Sequence, residues 1–302
     1  MIIKNYFRDP IKHVFLALAQ RNYLDLLPDK IFLKLFYFSL FKKPLNLKKP
    51  RTFSEKLQWL KLYDRKPEYT TMVDKYEVKK YVADRIGEQY VIPTLGVWNS
   101  FDEIDFDLLP DQFVLKCTHD SGGLVICRDK RTLNINTAKE KIEKSLKRNF
   151  YLMHREWPYK NVKPRIIAEM YMQDETQKAG LVDYKFYCFN GEPKFLYVSI
   201  GLEDHATATI TFMNLDWTFA PFKRTDFAML PEVPPKPDTY DQMLQTARKL
   251  SEGIPFLRVD LYEIQGRMYF SELTFSPCAG FMEFSPAEYD KIVGEMLTLP
   301  KN

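Results

Sequence analysis

Two short segments, far apart in the chain, constrain this sequence more than its composition does: Phe113-Val-Leu-Lys-Cys-Thr-His-Asp-Ser-Gly-Gly123 and Arg258-Val-Asp-Leu-Tyr-Glu-Ile-Gln-Gly-Arg-Met-Tyr-Phe-Ser-Glu-Leu-Thr274. In the first, the apolar run Phe113, Val114, Leu115 predicts a buried strand that ends in Lys116 and gives way to a flexible polar turn with Gly122 and Gly123. Glycines let backbone N–H groups come close to an anion, and a lysine at the strand end adds a point charge. The spacing from Lys116 to the glycines is not that of a P-loop, and taken alone the segment reads more readily as a bare turn.

The second segment predicts a β-hairpin. Phe256 to Tyr262 alternates, Gln265-Gly266 turns the chain, and Met268 to Thr274 alternates again. On paired antiparallel strands Asp260 and Glu272 can point at one ion, and hard oxygen ligands of this kind suit Mg²⁺. Arg258, two residues before Asp260, projects from the same strand face. The plainer reading of that face is a solvated strand with ordinary charge pairing.

With these two segments in place, a series of others in order carries a resemblance: Pro50-Arg-Thr-Phe-Ser-Glu-Lys-Leu-Gln-Trp59, Asp74-Lys75, Gly87 through Pro93, Lys116 with its glycine turn, Asp183-Tyr-Lys-Phe186 and Glu272-Leu-Thr-Phe275. The chain resembles the TupA-like ATP-grasp family found among bacterial surface-polysaccharide genes, over nearly everything from about residue 45 to 285. The resemblance implies an α+β ATP-grasp fold in which two lobes clasp ATP. It implies that Lys75 and Lys116 meet the nucleotide phosphates and that 118–123, with His119, Ser121, Gly122 and Gly123, is the mobile loop above them. It places the backbone of Glu169 to Met172, Met170 included, at adenine, Asp183 near the ribose, and Lys185 as a further phosphate contact. Arg258 then faces the transferring phosphoryl group beside Lys116, and Asp260 and Glu272 are the magnesium carboxylates. One position departs from the pattern: Thr274 stands where many members carry asparagine, and it offers a single weaker oxygen to the metal.

The implied activity is ATP-dependent carboxylate–amine ligation through an acylphosphate, with ATP and Mg²⁺ as cofactors, joining an amino acid to a uronic acid of a free or lipid-linked glycan. A glycosyltransferase using a nucleotide-sugar, an ATP-dependent sugar kinase and a non-catalytic glycan-binding protein stay open as alternatives.

Composition agrees with a globular enzyme. At 302 residues the chain exceeds a typical single domain, and the expected division is a helical region over 1–87, a smaller lobe over 88–165 and a larger one over 166–302. With 44 basic against 40 acidic residues there is no nucleic-acid footprint. Cys117, Cys127, Cys188 and Cys278 lie singly, which points to a reducing cytoplasm and not to zinc; Cys117 reads as a small core residue. His119 alone among the histidines is placed to touch a phosphate or acyl group, and its plainer reading is an exposed loop residue.

No signal peptide or spanning helix is expected. The apolar run from Ile31 to Phe41, followed by Lys42-Lys43 and Lys48-Lys49-Pro50-Arg51, reads first as a buried helix. Its alternative is a peripheral contact through 31–51 with the inner face of a membrane. Helices are expected over 11–20, 28–41, 52–63, 73–86, 137–149 and 239–252. Strands are expected near 90–97, 113–116, 124–127, 166–172, 182–189, 194–200, 207–213, 256–262 and 267–274. Hairpins such as Phe189-Asn-Gly-Glu192 argue against a doubly wound parallel sheet.

Overall fold

The computed structural model describes residues 17–18, 23–174, 180–201 and 208–301. The helix expected over 11–20 lies outside the described residues apart from 17–18, as does the first residue of the strand expected over 207–213. Among the described residues no helix is long and apolar enough to cross a membrane.

The N-terminal part is helical. Helix α1 (Asp29–Phe41) buries Phe32, Leu33, Phe36 and Tyr37, whereas Ile31, Leu35 and Phe38 on its other side are exposed, so the expectation of a buried helix holds for one face only. Helix α2 (Phe53–Tyr63) starts at a capping box in which Thr52 Oγ1 accepts from the Glu55 amide and the Glu55 carboxylate accepts from the Thr52 amide. The single helix expected over 73–86 is two, α3 (Glu68–Val73) and α4 (Glu77–Ile86). Asp74 causes the break: its carboxylate accepts from the amides of Tyr76 and Glu77 at 2.8 and 3.2 Å, a local bond that competes with helical pairing. The Lys75 amide is thereby freed and donates to the Thr118 carbonyl at 3.0 Å.

Strands β1 (Thr94–Trp98), β2 (Phe113–Cys117) and β3 (Leu124–Cys127) precede helices α5 (Ile135–Leu146) and α6 (Phe150–His154), and β4 (Ile166–Met170) follows. These strands form an antiparallel sheet in the order β1-β4-β2-β3. Strand β4 lies inside this sheet, so the sheet takes in the chain as far as Met170. Phe113, Leu115 and Cys117 turn one face of β2 into the core against Ala138 and Ile142 of α5, so the period of two sends Val114 and Lys116 to the other face.

Strands β5 (Val182–Phe189), β6 (Glu192–Ile200) and β7 (Thr209–Asn214), the two-residue β8 (Lys223–Arg224), helix α7 (Tyr240–Ser251), strands β9 (Phe256–Ile264) and β10 (Arg267–Thr274), β11 (Phe284–Ser285) and helix α8 (Tyr289–Glu295) complete the chain. The larger sheet is antiparallel in the order β10-β9-β5-β6-β7. Its two hairpins turn at Asn190-Gly191 (φ 51° and 85°) and Gln265-Gly266 (φ 51° and 72°), the positive dihedrals that match strand twist. One sheet face packs Phe186, Leu196, Val198, Leu257 and Val259 against Met243, Ala247 and Leu250 of α7. The other face is divided. Tyr187, Phe189, Phe195, Phe212 and Phe256 form an aromatic core roofed by Phe53 and Leu57 of α2 and Val293 of α8, while the charged residues of β5 and β9 occupy the remaining end.

Phe53 is fully buried, with its ring centroid 5.0 Å from Phe256 and 5.7 Å from Phe189. Phe53→Ala is expected to lower the unfolding free energy by about 3–5 kcal/mol in urea titration; a loss below about 1 kcal/mol would mean that α2 is not seated on the sheet.

Candidate active site

Strand register assembles the larger wall. Asp260 pairs directly with Glu272 on β10 and with Lys185 on β5, and Arg258 pairs with Thr274 and Tyr187. A bulge between Phe270 and Glu272 sets this phase. Arg258 grips Asp260 with two bonds, Nε to Oδ1 at 2.7 Å and Nη2 to Oδ2 at 2.6 Å, and Lys185 Nζ bridges Asp260 Oδ2 at 2.8 Å and Asp183 Oδ1 at 2.9 Å. Two carboxylates and two cations therefore neutralise one another in a site where Asp260 has no exposed surface. Burial pushes the Asp260 carboxyl upward, but Arg258 and Lys185 outweigh it and hold the group below the usual carboxylate range. Glu272 is the freer carboxylate: its side chain is 35% exposed, 4.0 Å from Arg258 Nη2 and 3.9 Å from Lys75 Nζ.

The smaller sheet supplies the opposite wall. Lys116 Nζ lies 2.5 Å from Glu169 Oε2, and Lys79 Nζ, from α4, lies 2.6 Å from Oε1 while donating to the Ile92 carbonyl at 2.6 Å. Burial raises the Glu169 carboxyl, yet Lys116 and Lys79 reverse the effect and bring it down to about 2. Lys75, placed by the break at Asp74, donates to the Asp120 carbonyl at 2.5 Å.

Between the walls is a cavity of about 840 Å³. Lys75, Lys79, Lys116, Ser121 and Glu169 line one side, and Asp183, Lys185, Tyr262 and Glu272 line the other. Val91, Val114, Ile126, Met170, Met172 and Phe270 give it an apolar end. A smaller hollow of about 500 Å³ beside Gln173, Gln265 and Arg267 has no carboxylate among the described residues of its lining.

The structure thus brings together Lys75, Lys116, Ser121, Glu169, Met170, Met172, Asp183, Lys185 and Glu272. Arg258 and Asp260 stand behind Glu272, outside the lining. Lys79 was not anticipated: in sequence it is an ordinary helical lysine, and its one signal is a position four residues beyond Lys75.

Three residues of the glycine turn are placed otherwise than expected. His119 is neither an exposed loop residue nor a cavity liner; it is 4% exposed, with Nε2 3.1 Å from the Arg148 carbonyl and Nδ1 sealed without a partner. Burial lowers its pKa, which favours the neutral ring. Gly123 is required by packing, since a Cβ there would collide with Ser145 Oγ of α5. Gly122, at φ 105° and with open space where a Cβ would sit, shapes the exposed tip. The expected flexible turn is in fact anchored over its first half. Thr118 donates to the Arg165 carbonyl, and the buried Asp120 carboxylate takes the Ser145 hydroxyl and faces Arg148 at 3.6 Å. Only Ser121 and Gly122 of this turn are exposed. Burial pushes the Cys117 thiol up to about 11, in keeping with a core cysteine.

Thr274 Oγ1 is buried without a hydrogen-bond partner, in register with Arg258. Among the described residues no group of three or more histidine, cysteine or acidic side chains could hold a metal. Of the two opposed carboxylates Glu272 is open to the cavity, while both Asp260 oxygens are taken up by Arg258 and Lys185; the oxygen chemistry of Glu272 would suit Mg²⁺ carried in with phosphates.

A family model described as TupA-like ATPgrasp matches residues 55–298. The chain belongs to the TupA-like ATP-grasp family. Among solved structures, this ATP-grasp protein is similar to D-alanine–D-alanine ligase from Bacillus anthracis complexed with ATP, at 15% identity over 75% of this chain and 63% of that one, with a TM-score of 0.43. It is similar to D-alanine–D-alanine ligase from Helicobacter pylori at 14% identity, 81% and 69% coverage and a TM-score of 0.46. It is also similar to the ATP-grasp ligase PsnB in complex with a minimal precursor variant, Mg and ADP, at 11% identity, 74% and 57% coverage and a TM-score of 0.37. The chain therefore spans less than two thirds of the B. anthracis ligase and of PsnB. No curated protein sequence matches it.

Glu169 provides a stability test with a definite sign. A carboxyl near 2 in the fold against 4.5 as its ordinary value contributes on the order of 3 kcal/mol above pH 4.5, and this is lost as pH falls from about 4.5 through 2. Wild type and Glu169→Gln, compared by urea unfolding, are expected to differ most at neutral pH and to converge as the solution is acidified. A gap that stays constant down to pH 3 would contradict the pairing with Lys79 and Lys116.

Proposed function

We propose that this protein is an ATP-dependent carboxylate–amine ligase that joins an amino acid to a uronic acid of a bacterial surface polysaccharide or its precursor. The observation that carries the reading is the cavity between the sheets, with three lysines and Glu169 on one side, a lysine and two acids on the other, and apolar residues contributed by both. Its volume is of the size that ligand sites occupy. Family membership makes ATP the nucleotide to expect there.

In this reading Met170, Met172 and Phe270 receive the adenine, and Asp183 lies on the ribose side. Lys75, Lys79 and Lys116 meet the phosphates, with Glu169 keeping two of the three lysines oriented until a polyphosphate takes over their charge. Glu272, backed by Asp260, holds Mg²⁺, which supplies charge neutralisation on the transferring phosphoryl group. Arg258 is fixed by its two bonds to Asp260 and lies 4.0 Å from Glu272, so its charge is held beside the metal carboxylate without reorganising. The substrate carboxylate attacks the γ-phosphorus and ADP departs; the amine then attacks the acyl carbon and phosphate departs, leaving an amide. Water kept out by Ser121-Gly122 and the walls protects the acylphosphate from hydrolysis.

Purified protein with ATP, Mg²⁺ and a panel of uronic acids and amino acids is expected to release ADP and form an amide, detected by mass. UDP release from a nucleotide-sugar without ATP consumption would instead identify a glycosyltransferase, and a phosphorylated sugar with no amide a kinase. Lys116→Ala is expected to raise the Kd for ATP roughly 10-fold or more, the value of a charge-assisted contact of about 1.5–3 kcal/mol. Glu272→Gln is expected to act chiefly on kcat.

The exposed side of α1 favours a second element of the reading, a peripheral contact with an anionic membrane that carries lipid-linked substrate. Ile31, Leu35 and Phe38 are 48%, 47% and 44% exposed on successive turns of the helix, and Lys30, Lys34, Lys42 and Lys43 flank them. Sedimentation with phosphatidylserine vesicles is expected to pull down wild type and not an Ile31→Ser/Phe38→Ser variant, with binding weakened by salt. Equal binding of both forms would remove α1 from the contact.

A further inference from the structure

Lys75 belongs to neither of the helices that flank it: α3 ends at Val73 and α4 begins at Glu77, so no helical ladder fixes its direction. A lysine left to itself samples many rotamers, and ordering it on a ligand costs that freedom. Yet Lys75 lines the nucleotide cavity, with Nζ 2.5 Å from the Asp120 carbonyl and 3.9 Å from Glu272 Oε1. The bend that carries it must be held from outside the two helices.

The segment just before β4 holds it from both sides. On one side Arg165 Nη2 donates to Asp74 Oδ2 at 2.8 Å and to Glu77 Oε1 at 2.9 Å, and the guanidinium carbon sits 4.9 Å from the Tyr76 ring centroid. Asp74 is buried, and its other oxygen already caps the Tyr76 and Glu77 amides. On the other side the same segment grips Thr118. The Thr118 amide donates to the Arg165 carbonyl at 2.9 Å, and its hydroxyl donates to the Lys163 carbonyl at 3.1 Å and accepts from the Arg165 amide at 3.2 Å. The Thr118 carbonyl in turn accepts from the Lys75 amide at 3.0 Å. Asp74, Arg165, Thr118 and Lys75 therefore form a closed circuit around the root of the lysine side chain. Arg165 Nε is buried in this circuit without a hydrogen-bond partner. An orphaned donor lowers local stability, and such a sacrifice is expected where placement matters more than stability.

We propose that Arg165 is the positioning residue for Lys75: its ion pair with Asp74 and its main-chain grip on Thr118 fix the bend from which the lysine reaches the phosphates. This rests on the ligase reading given above, in which Lys75 meets the nucleotide, and adds to it a residue that does not line the cavity. Arg165 acts at the root of the side chain, so its whole effect on the nucleotide passes through Lys75. Lys116 and Lys79 are held separately, by Glu169.

A double-mutant cycle on Mg·ATP binding separates this role from bracing of the fold. Titration calorimetry of the full chain, without acceptor, gives the Kd, and thermal unfolding is followed alongside. Arg165→Gln is expected to raise the Kd roughly 3- to 10-fold, the size of a coupling between residues in one network, and to change nothing further in the Lys75→Ala background. Arg165→Lys, which keeps the charge and loses the fork, is expected to recover part of the loss. An unchanged Kd in Arg165→Gln overturns the assignment, whatever happens to Tm, and so do losses that add in the double variant. If Arg165→Gln does not fold, the cycle is run with Asp74→Asn, which keeps an oxygen for the α4 amides and gives up the charge facing Arg165; an unchanged Kd or additive losses overturn the assignment there equally. A wild-type protein that binds no Mg·ATP removes the nucleotide reading itself, whereas wild-type binding with additive losses removes only the role of Arg165.

Discussion

The row of opposed charges across β5, β9 and β10 is the interaction on which the rest of the site depends. Asp260 is sealed from solvent, and a sealed carboxylate is tolerable only because Arg258 and Lys185 meet both of its oxygens. Removing either cation would leave a buried charge uncompensated, so these side chains are fixed in place by one another before any ligand arrives. Hydrophobic packing of the reverse face against α7 holds the strands in the register that makes the row possible. A slip of one residue would send Arg258 and Asp260 into that core, and this ties the catalytic wall to the packing beneath it.

The opposite wall follows a different logic. Lys116 and Lys79 are neutralised by a single acid, Glu169, so one lysine charge remains in excess next to Lys75. A wall of this kind presents a net positive face without forcing two ammonium groups to lie unscreened side by side. The asymmetry between the walls, balanced on one side and cationic on the other, is what a polyanion carrying a divalent ion calls for.

Much of this was legible in the chain. The period of two in Phe113 to Lys116 and in Phe256 to Phe270, together with two positive-φ turns, determines which side chains share a face, and those parts agree with the structure; the bulge between Phe270 and Glu272, which brings Glu272 opposite Asp260, breaks the alternation expected through Thr274. What could not be read depends on contacts between segments remote in sequence. The break at Asp74 arises from local capping combined with pairing of Lys75 to Thr118, and no periodicity announces it. His119 and Asp120 sit in a polar stretch that reads as loop, yet Ser145 and Arg148 of the α5 region draw them inward. Lys79 looks like an ordinary surface residue until the folded chain brings Glu169 to it. The placement of β4 in the smaller sheet likewise depends on pairing with β1 and β2, which its own apolar run could not reveal.

The anchoring of the glycine turn constrains how the molecule can shut. Two exposed residues span at most about 7 Å, too little to swing across a cleft by themselves, and Thr118 to Asp120 are bonded to the backbone at Arg165 and to α5. The turn is therefore part of the body formed by the four-stranded sheet and α5, which also carries Lys116, and is not a flap of its own.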